Sequence, residues 1–253
     1  VLTIAILAAP LQIWIGHLSA EQVRVHQPSK LAAMEAQWET IPAGSTADWS
    51  LLASPNVEAE QNDWDIKIPQ ALGYILELKP TLSEPVLGLK TWKPADRPHM
   101  VRLVYYAFRI MVAIGLALMG LAIATLIQWV RGQLSTDKIG QQTWLLRGWL
   151  LAAPLGYIAV ESGWIVRCVG RQPWIVYGEL RTVDMASHLP AVEVLASLSG
   201  FVILYSVLFV SALYFGRKII LKGPDLDSPL PETIQVSVLE PMIHQPDQRP
   251  LKG

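Results

Sequence analysis

Three long apolar runs constrain the fold of this chain more than any other feature. Residues 110–130 and 194–216 contain no charged side chain, and residues 148–166 contain one acid, Glu161. A helix needs roughly 20 such residues to cross the hydrocarbon core of a bilayer. Together with a shorter apolar run at residues 1–16, these segments predict about four transmembrane helices.

The amino-acid composition also indicates a membrane protein. Hydrophobic residues make up 52% of the chain and charged residues 16%, ten tryptophans are present, and the mean hydropathy is +0.34. A net charge of −1 gives no basic surface of the kind found on nucleic-acid-binding proteins, so we expect no nucleic-acid partner. The single cysteine, Cys168, excludes an intrachain disulfide and a multi-cysteine metal site. We predict an all-α integral membrane helical bundle in contact with lipid.

The loops between the apolar runs set the predicted organisation. The polar, proline-rich stretch after the first run is long for a structureless connection, and such loops are usually functional. The positive-inside rule places the short cation-bearing loop and the tail in the cytoplasm. The chain begins inside an apolar run without a methionine, so we expect it to be part of a longer protein. The predicted segments are the end of a transmembrane helix (1–16), an extramembrane loop (17–100), a transmembrane helix (101–130), a cytoplasmic loop (131–147), a transmembrane helix (148–166), a loop (167–193), a transmembrane helix (194–216) and a cytoplasmic tail (217–253).

Two charged residues stand out in the long loop. Residues 29–39 have the pattern of a short amphipathic helix, with Ser29 as its N-cap. Lys30 and Glu35 are five residues apart, about 140° around such a helix, so they do not form an i,i+4 ion pair. Solvated surface charge is the commoner role for such residues, and contact with another group is the alternative.

A stripe of reactive side chains follows one face of the third apolar run. Tyr157, Glu161, Trp164 and Cys168 have the spacing i, i+4, i+7 and i+11. An acid inside hydrocarbon costs about 2.5–3.5 kcal/mol on insertion scales, so it usually faces a partner, a cavity or a cofactor. In the simpler alternative, Glu161 pairs with a cation on another helix and Trp164 belongs to the interfacial aromatic belt.

Two further residues could hold a cofactor. Pro173 ends any helix by Gln172, which leaves Arg171 at the membrane edge, where a guanidinium suits a propionate or carboxylate. Met111 shares a helix face with small residues, and a thioether opposite an imidazole is a known axial pair for low-spin haem iron. A methionine among small residues is also typical of helix packing, so the pattern alone leaves both roles open.

Four motifs follow one another along the chain. They are Lys30-Leu-Ala-Ala-Met-Glu35-Ala-Gln-Trp-Glu-Thr, Asp96-Arg97-Pro98, Phe108-Arg109-Ile-Met111-Val, and Glu161-Ser-Gly-Trp164 followed by Gly170-Arg-Gln-Pro-Trp174. In this order they resemble subunit I of the cytochrome bd-type ubiquinol oxidases. The resemblance covers almost the whole chain and corresponds to the C-terminal half of that subunit.

The resemblance implies a terminal oxidase of aerobic respiration. Such an enzyme takes electrons from a membrane quinol and reduces dioxygen to water, in the bacterial plasma membrane or a thylakoid-type inner membrane. The implied cofactors are a low-spin haem b, a high-spin haem b, and haem d or a b-type replacement. The implied partners are membrane lipid, the quinol, subunit II and the missing N-terminal half of subunit I. Without that half, the chain is not expected to turn over oxygen.

The same resemblance implies roles for individual residues. Lys30 and Glu35 lie in the quinol-binding loop at positions implicated in quinol oxidation. Met111 is the axial ligand of the low-spin haem iron, and Arg109 is a cofactor-binding residue close to it. The residues implied around the high-spin haems are Glu161, Trp164, Arg171 and Gln172 as catalytic groups, with Trp164 and Cys168 in contact with the cofactor.

One departure from the family pattern affects the high-spin site. The family carries a glutamate two residues before Gly-Arg-Gln-Pro-Trp, where this chain has Cys168. Either the cysteine replaces the glutamate, or Glu161 takes over part of its role, or the site is altered. The alternative function is therefore a non-catalytic membrane scaffold or a diverged homologue with an altered or missing high-spin haem site. Cys168 favours that alternative slightly, whereas the retained Lys30, Glu35 and Met111 favour the oxidase.

Overall fold

The chain is mostly helical, as its sequence predicts. The computed structural model describes residues 2–135, 138–185, 187 and 189–223. Short strands occur only outside the long helices. The elements in chain order are α1 (Leu2–His26), α2 (Pro28–Glu35), β1 (Trp49–Asn56), β2 (Gln61–Ile68), α3 (Ala71–Glu77), α4 (Val101–Val130), α5 (Thr143–Val169), β3 (Trp174–Val176), β4 (Leu180–Arg181) and α6 (Ala191–Lys222).

Three of the described helices, α4, α5 and α6, are long and apolar enough to cross a membrane. The sequence predicted about four spans, and α1 is not among those found. The second half of α1 is polar, and its Arg24 forms an ion pair with Glu77 of α3 at 2.9 Å. The end of α1 is therefore bound to the long loop that precedes α4.

The helices extend beyond the apolar runs that predicted them. Hydropathy marks the part of a helix that suits hydrocarbon, whereas the backbone hydrogen bonds continue until a residue ends them. The end of the first helix was predicted at residue 16, but α1 continues to His26. The next helix begins at Pro28. α6 ends at Lys222, and the next residue, Gly223, has a positive φ of 69°. The rest of the predicted cytoplasmic tail, residues 224–253, lies outside the described residues.

The long loop folds into more structure than its sequence pattern predicted. β1 and β2 pair as an antiparallel hairpin, from Trp49 opposite Ile68 to Asn56 opposite Gln61. The predicted helix is present as α2, but Ser29 is not its cap. Pro28 occupies the first turn, and no side chain caps the helix.

α4 and α5 lie side by side in opposite directions, and small residues allow their close approach. A Cβ atom added at Gly163 would be 3.3 Å from Sδ of Met111, and one added at Gly148 would be 3.0 Å from a Leu121 methyl group. Near the far end of the pair, Trp149 Nε1 donates a hydrogen bond to Thr125 Oγ1 at 2.9 Å. Close packing of small residues is a common means of helix association in membranes.

α2 lies where the start of α4 meets the end of α5. Gly170 follows α5 at this junction, and an added Cβ would be 2.4 Å from the Val166 carbonyl oxygen and 3.3 Å from Lys30 Cγ. The loop helix is thus held against both membrane helices by an apolar core. That core consists of Ala32, Ala33, Met34, Trp38, Leu89, Val101, Val104, Ala107 and Val166.

α6 belongs to a second compact unit that begins at residue 187. None of its described residues is buried. Within the helix, Phe201 stacks on Tyr205 with ring centroids 6.3 Å apart.

Candidate functional site

A buried ion pair joins the long loop to a membrane helix. Glu35 ends α2 and Arg109 lies in the third turn of α4, and the two side chains are each only 7% exposed. Arg109 Nη2 donates to Glu35 Oε2 at 2.7 Å and to the Ser50 carbonyl oxygen of β1 at 2.7 Å. One guanidinium nitrogen therefore connects three elements, and Glu35 is not a solvated surface charge.

Aromatic rings surround the guanidinium of Arg109. Its central carbon lies 5.0 Å from the ring centre of Trp49, 4.8 Å from that of Tyr105 and 5.4 Å from that of Phe108. Such contacts stabilise a desolvated cation. The Nε and Nη1 atoms of Arg109 are nevertheless buried without a hydrogen-bond partner in the described part of the chain. These two donors can serve an additional acceptor.

Burial changes the protonation behaviour of Glu35. Desolvation raises the pKa of the Glu35 carboxyl group above its ordinary value, and the charge and hydrogen bond of Arg109 oppose this rise. A carboxylate whose pKa lies closer to neutrality is a better proton acceptor at physiological pH. The site therefore contains an acid suited to accept a proton.

Lys30 belongs to a separate group of cations at the other end of α2. Its side chain is buried and packs against Gly170. Burial lowers the pKa of Lys30, and the positive charges of Arg167 and Arg171 lower it further. Lys30 forms no ion pair within residues 2–135 and 138–185, and Arg171 Nε is buried without a partner among the described residues. This cation cluster suits an anionic group.

Met111 occupies a different face of α4 from Arg109. Two residues correspond to about 200° around a helix, so Arg109 faces the loop while Met111 faces α5. The sulfur atom lies beside Gly163, in the contact between the two helices. One turn further on, a Cβ added at Gly115 would meet no atom within 4 Å. The thioether therefore lies next to an open part of the helix surface.

The predicted stripe on α5 lies on an exposed face. Tyr157 is 79% exposed and Trp164 is 53% exposed, and Glu161 and Cys168 are exposed as well. Within the residues of this unit that the structure describes, Glu161 forms no ion pair. At the end of α5 the stripe comes near Lys30, because Cys168 is among the groups whose charge acts on the Lys30 ammonium.

Gln172 has a partner within its own loop. Its Oε1 atom accepts a hydrogen bond from Thr182 Oγ1 at 2.6 Å, at the open end of the β3–β4 hairpin. The preceding residue, Arg171, is half-buried and faces the Lys30 side of the junction. The two neighbouring residues therefore make different contacts.

Sequence reasoning missed the residues that surround Arg109. Tyr105 is one helical turn before Arg109, and that spacing could have identified it as a neighbour. Trp49 and Ser50 come from the hairpin, about 60 residues away, and no local pattern connects them to α4.

Comparison with known proteins identifies the family of this chain. The family model described as cytochrome bd terminal oxidase subunit I matches residues 1–224. The chain belongs to this family. With its three candidate spans, this member of the family is an integral protein of a bacterial membrane.

Individual relatives agree with the family assignment. The chain is 30% identical over 222 residues to cytochrome bd ubiquinol oxidase subunit 1 of Bacillus subtilis. The alignment covers 84% of this chain and 46% of that protein. It is 29% identical over 274 aligned positions to cytochrome bd-II ubiquinol oxidase subunit 1 of Escherichia coli. This alignment covers 83% of this chain and 52% of that protein. The chain thus spans about half the length of the relatives it matches.

Proposed function

We propose that this chain is the C-terminal part of the haem-bearing subunit of a bd-type quinol oxidase. It binds a membrane quinol and passes the electrons through b-type haems to dioxygen, which is reduced to water. The buried Glu35–Arg109 pair supports this proposal most, because it holds a proton acceptor from the loop against the helix that carries Met111. Since the chain spans about half of its relatives, turnover requires the rest of subunit I and subunit II.

Quinol oxidation needs a proton acceptor, since each quinol loses two protons together with two electrons. Glu35 has that role, and its raised pKa brings it closer to the neutral range in which a general base works well. Arg109 remains charged, because a guanidinium is not deprotonated in proteins, and it fixes the orientation of the carboxylate. Lys30 contributes a buried ammonium that can bind a quinol oxygen.

Two groups of residues along α5 suit a haem, one a possible iron ligand and the other a set of cations. Met111 Sδ lies beside Gly163, and the cation cluster lies beside Gly170. Seven residues separate these glycines, or about 10 Å along a helix axis. A thioether is a ligand for low-spin haem iron, and unpaired cationic donors suit carboxylate groups. A bound haem would supply one-electron transfer, and Met111 and Arg171 would hold it.

The exposed stripe on α5 belongs to the same proposal. Glu161, Trp164, Arg171 and Gln172, together with Cys168, are assigned to the surroundings of the high-spin haem b and of haem d or its b-type replacement. The exposure of Glu161, Trp164 and Cys168 within this unit supports the assignment, since a cofactor needs an uncovered surface to bind, while Arg171 and Gln172 are half-buried just beyond the end of α5. Cys168 supports a second candidate function, a membrane scaffold whose high-spin site is altered, because this position has no carboxylate.

A substitution of Glu35 tests the quinol-oxidase function. In the membrane-embedded oxidase that contains this chain, Glu35→Gln should lower quinol-driven oxygen uptake by about 10²-fold, because the proton acceptor is lost. The dithionite-reduced haem spectrum should not change. Glu39→Gln is the matched control, since Glu39 is only four residues away and its side chain is 72% exposed. Normal uptake by the Glu35 variant would contradict the function.

A further inference from the structure

An ion pair joins the end of the long loop to the β3–β4 hairpin that follows α5. Asp96 lies shortly before α4, and Arg181 is the last residue of β4. Arg181 Nη2 donates to Asp96 Oδ1, and the two side chains are 41% and 23% exposed. Trp174 of β3 donates from Nε1 to the Asp96 carbonyl oxygen at 3.3 Å. Asp96 is therefore bound to both strands of the hairpin.

The same tryptophan also contacts the cation. The central guanidinium carbon of Arg181 lies 4.9 Å from the ring centre of Trp174, which is a cation–π contact. An isolated, partly exposed ion pair contributes little to stability. Here Asp96, Arg181 and Trp174 contact one another in all three pairs, so displacement of any one breaks two contacts. These three residues are termed the clasp.

An open cleft lies beside the clasp. Its volume is about 520 Å³, and it is lined by Ala95 and His99 from the loop and by Gln172 and Thr182 from the hairpin side. Between the described residues 93–100 and 170–185, the structure shows no hydrogen bond other than those of the clasp. The relative position of these two segments therefore depends largely on the clasp rather than on close packing.

On the hairpin side, the clasp is continuous with the Gly-Arg-Gln-Pro-Trp motif. Thr182 follows Arg181 in the chain, and its hydroxyl group donates to Gln172 Oε1 at 2.6 Å. Trp174 is the last residue of the motif, and its backbone nitrogen donates to the Arg171 carbonyl oxygen at 3.1 Å. The clasp therefore contributes to the positions of both Arg171 and Gln172.

The β3–β4 hairpin also contacts the start of α2 through Tyr177. The ring of Tyr177 lies 6.1 Å from that of Trp174, edge to face. Its hydroxyl group interacts with the side chains of Trp92 and Ser29. Ser29 immediately precedes Lys30 in α2. The hairpin thus connects the clasp to the part of the loop that carries Lys30.

We infer that Asp96 and Arg181 are positioning residues, whose ion pair sets the position of Lys30 in the quinol-binding loop relative to Arg171 and Gln172 on the haem side. This inference rests on the proposed function. Asp96 and Arg181 act through the hairpin and need no contact with quinol or haem. Loss of their ion pair should therefore change quinol binding and the high-spin haem together.

Arg181→Gln in the membrane-embedded oxidase tests this inference, because it removes the cation and keeps a polar side chain. A displacement of about 1 Å in a positioning group can cost up to about 10²-fold. Since Lys30 itself remains, the KM for quinol should rise about tenfold. The high-spin haem spectrum should shift, whereas the low-spin signal assigned to Met111 should not. Loss of stability alone would lower all haem signals together and leave the KM of the remaining enzyme unchanged.

A conservative variant and a matched control accompany this test. Arg181→Lys keeps the positive charge and should restore most of the wild-type KM and spectrum. Lys90→Gln is the control, because Lys90 is similarly exposed, at 39%, and its ion pair with Glu39 lies entirely within the loop. This variant should have the wild-type KM and high-spin spectrum.

A double-mutant cycle shows whether the two residues act as a pair. Asp96→Asn should reproduce the effects of Arg181→Gln. The double variant should be no more impaired than either single variant, because the ion pair is lost in all three proteins. If the two effects on KM multiply instead, Asp96 and Arg181 act separately and the inference is overturned.

The remaining outcomes also decide the question. A wild-type KM or a wild-type high-spin spectrum in Arg181→Gln would overturn the shared positioning role. Loss of every haem signal in both Arg181→Gln and Asp96→Asn would reduce the pair to a requirement for folding and overturn that role as well.

Comparison with the Glu35 variant separates this inference from the proposed function. If Arg181→Gln resembles the wild type while Glu35→Gln is impaired, the positioning role is overturned and the quinol-oxidase function stands. If both variants oxidise quinol normally, the proposed function fails together with the positioning role.

Discussion

The Glu35 carboxylate and the Arg109 guanidinium are 2.7 Å apart, and each side chain is only 7% exposed. A buried pair of this kind contributes little net stability, because desolvation of both charges offsets their attraction. Removal of one partner is costly, since the other charge then remains buried alone. The pair therefore makes the position of the loop depend on a residue in the membrane helix.

Substitution of Arg109 should loosen the attachment of the loop. Arg109→Gln leaves Glu35 buried without its cation and should lower the free energy of unfolding by about 3–5 kcal/mol. Thermal unfolding of the detergent-solubilised protein measures this change. Arg131→Gln is the control, because Arg131 is exposed at the opposite end of α4. Equal stability of the two variants would show that Glu35 does not depend on Arg109.

Met111 should be replaceable without loss of the helix but not without loss of the haem ligand. Met111→Leu nearly conserves side-chain volume and removes the sulfur atom. The low-spin haem b signal of the assembled oxidase should disappear or become high-spin in optical and EPR spectra. Met119→Leu, two turns along the same helix, should leave the spectrum intact. An unchanged low-spin signal in the Met111 variant would remove Met111 from the ligand set.

Gly170 should tolerate no side chain. An added Cβ would be 2.4 Å from the Val166 carbonyl oxygen and 3.2 Å from a Val104 methyl group, so Gly170→Ala forces the backbone to move. We expect a loss of about 1–3 kcal/mol in stability. Gly156→Ala, inside α5, is the control, since a Cβ there meets no atom within 4 Å. Similar unfolding temperatures for the two variants would contradict this packing.

The acid stability of the loop should depend on Glu77. Hydrogen bonds from Ser83 and Arg24 lower the pKa of Glu77 from 4.5 to about 2, against the effect of burial. Because the folded state has the lower pKa, this stabilisation is complete above about pH 4.5 and is lost as the pH falls through about 2. Glu77→Gln should therefore cost about 1 kcal/mol at neutral pH and progressively less in acid.

Thermal unfolding at several pH values measures the contribution of Glu77. The difference between the wild type and Glu77→Gln should shrink as the pH falls from about 4.5 towards 2. Glu84→Gln, which alters an exposed acid of the same loop, is the matched control. A difference that grows in acid would contradict the direction of the Glu77 pKa shift.

A carboxylate at position 168 should strengthen the high-spin haem site. Cys168→Glu introduces a negative charge that offsets the positive charge of a ferric haem, so the high-spin haem content of the assembled oxidase should rise. Cys168→Ser removes the thiol without adding an acid and should not have this effect. An unchanged haem content and high-spin spectrum in the glutamate variant would place Cys168 outside the haem site.

The sequence predicted the membrane helices well and the loop poorly, for a physical reason. Spanning helices need long uncharged runs, and such runs can be recognised without knowledge of their neighbours. The hairpin offers no comparable signal. Its register shifts between Ser50 and Leu52 and again between Ala53 and Pro55, so apolar and polar residues do not alternate along β1.

The sequence also predicted only part of the candidate site. Lys30, Glu35 and Met111 were recognisable because they lie within motifs. The contact between Glu35 and Arg109 joins residues 74 positions apart, and the periodicity of either helix does not reveal it. Trp49 and Ser50, which contact Arg109, lie in no recognised motif, and their positions depend on hairpin pairing that the sequence did not predict.

The exposure of α6 separates two steps of assembly, insertion into the bilayer and later packing against other protein. Its residues are unburied within its own unit, yet its backbone groups are hydrogen-bonded along the helix, so hydrocarbon alone can accommodate it. Insertion of α6 then requires no neighbouring protein, whereas its final position depends on lateral encounter within the plane of the bilayer. Such encounters depend on packing and lipid entropy rather than on the hydrophobic effect. Substitutions on its surface should therefore affect the efficiency of assembly while leaving the amount of inserted protein unchanged.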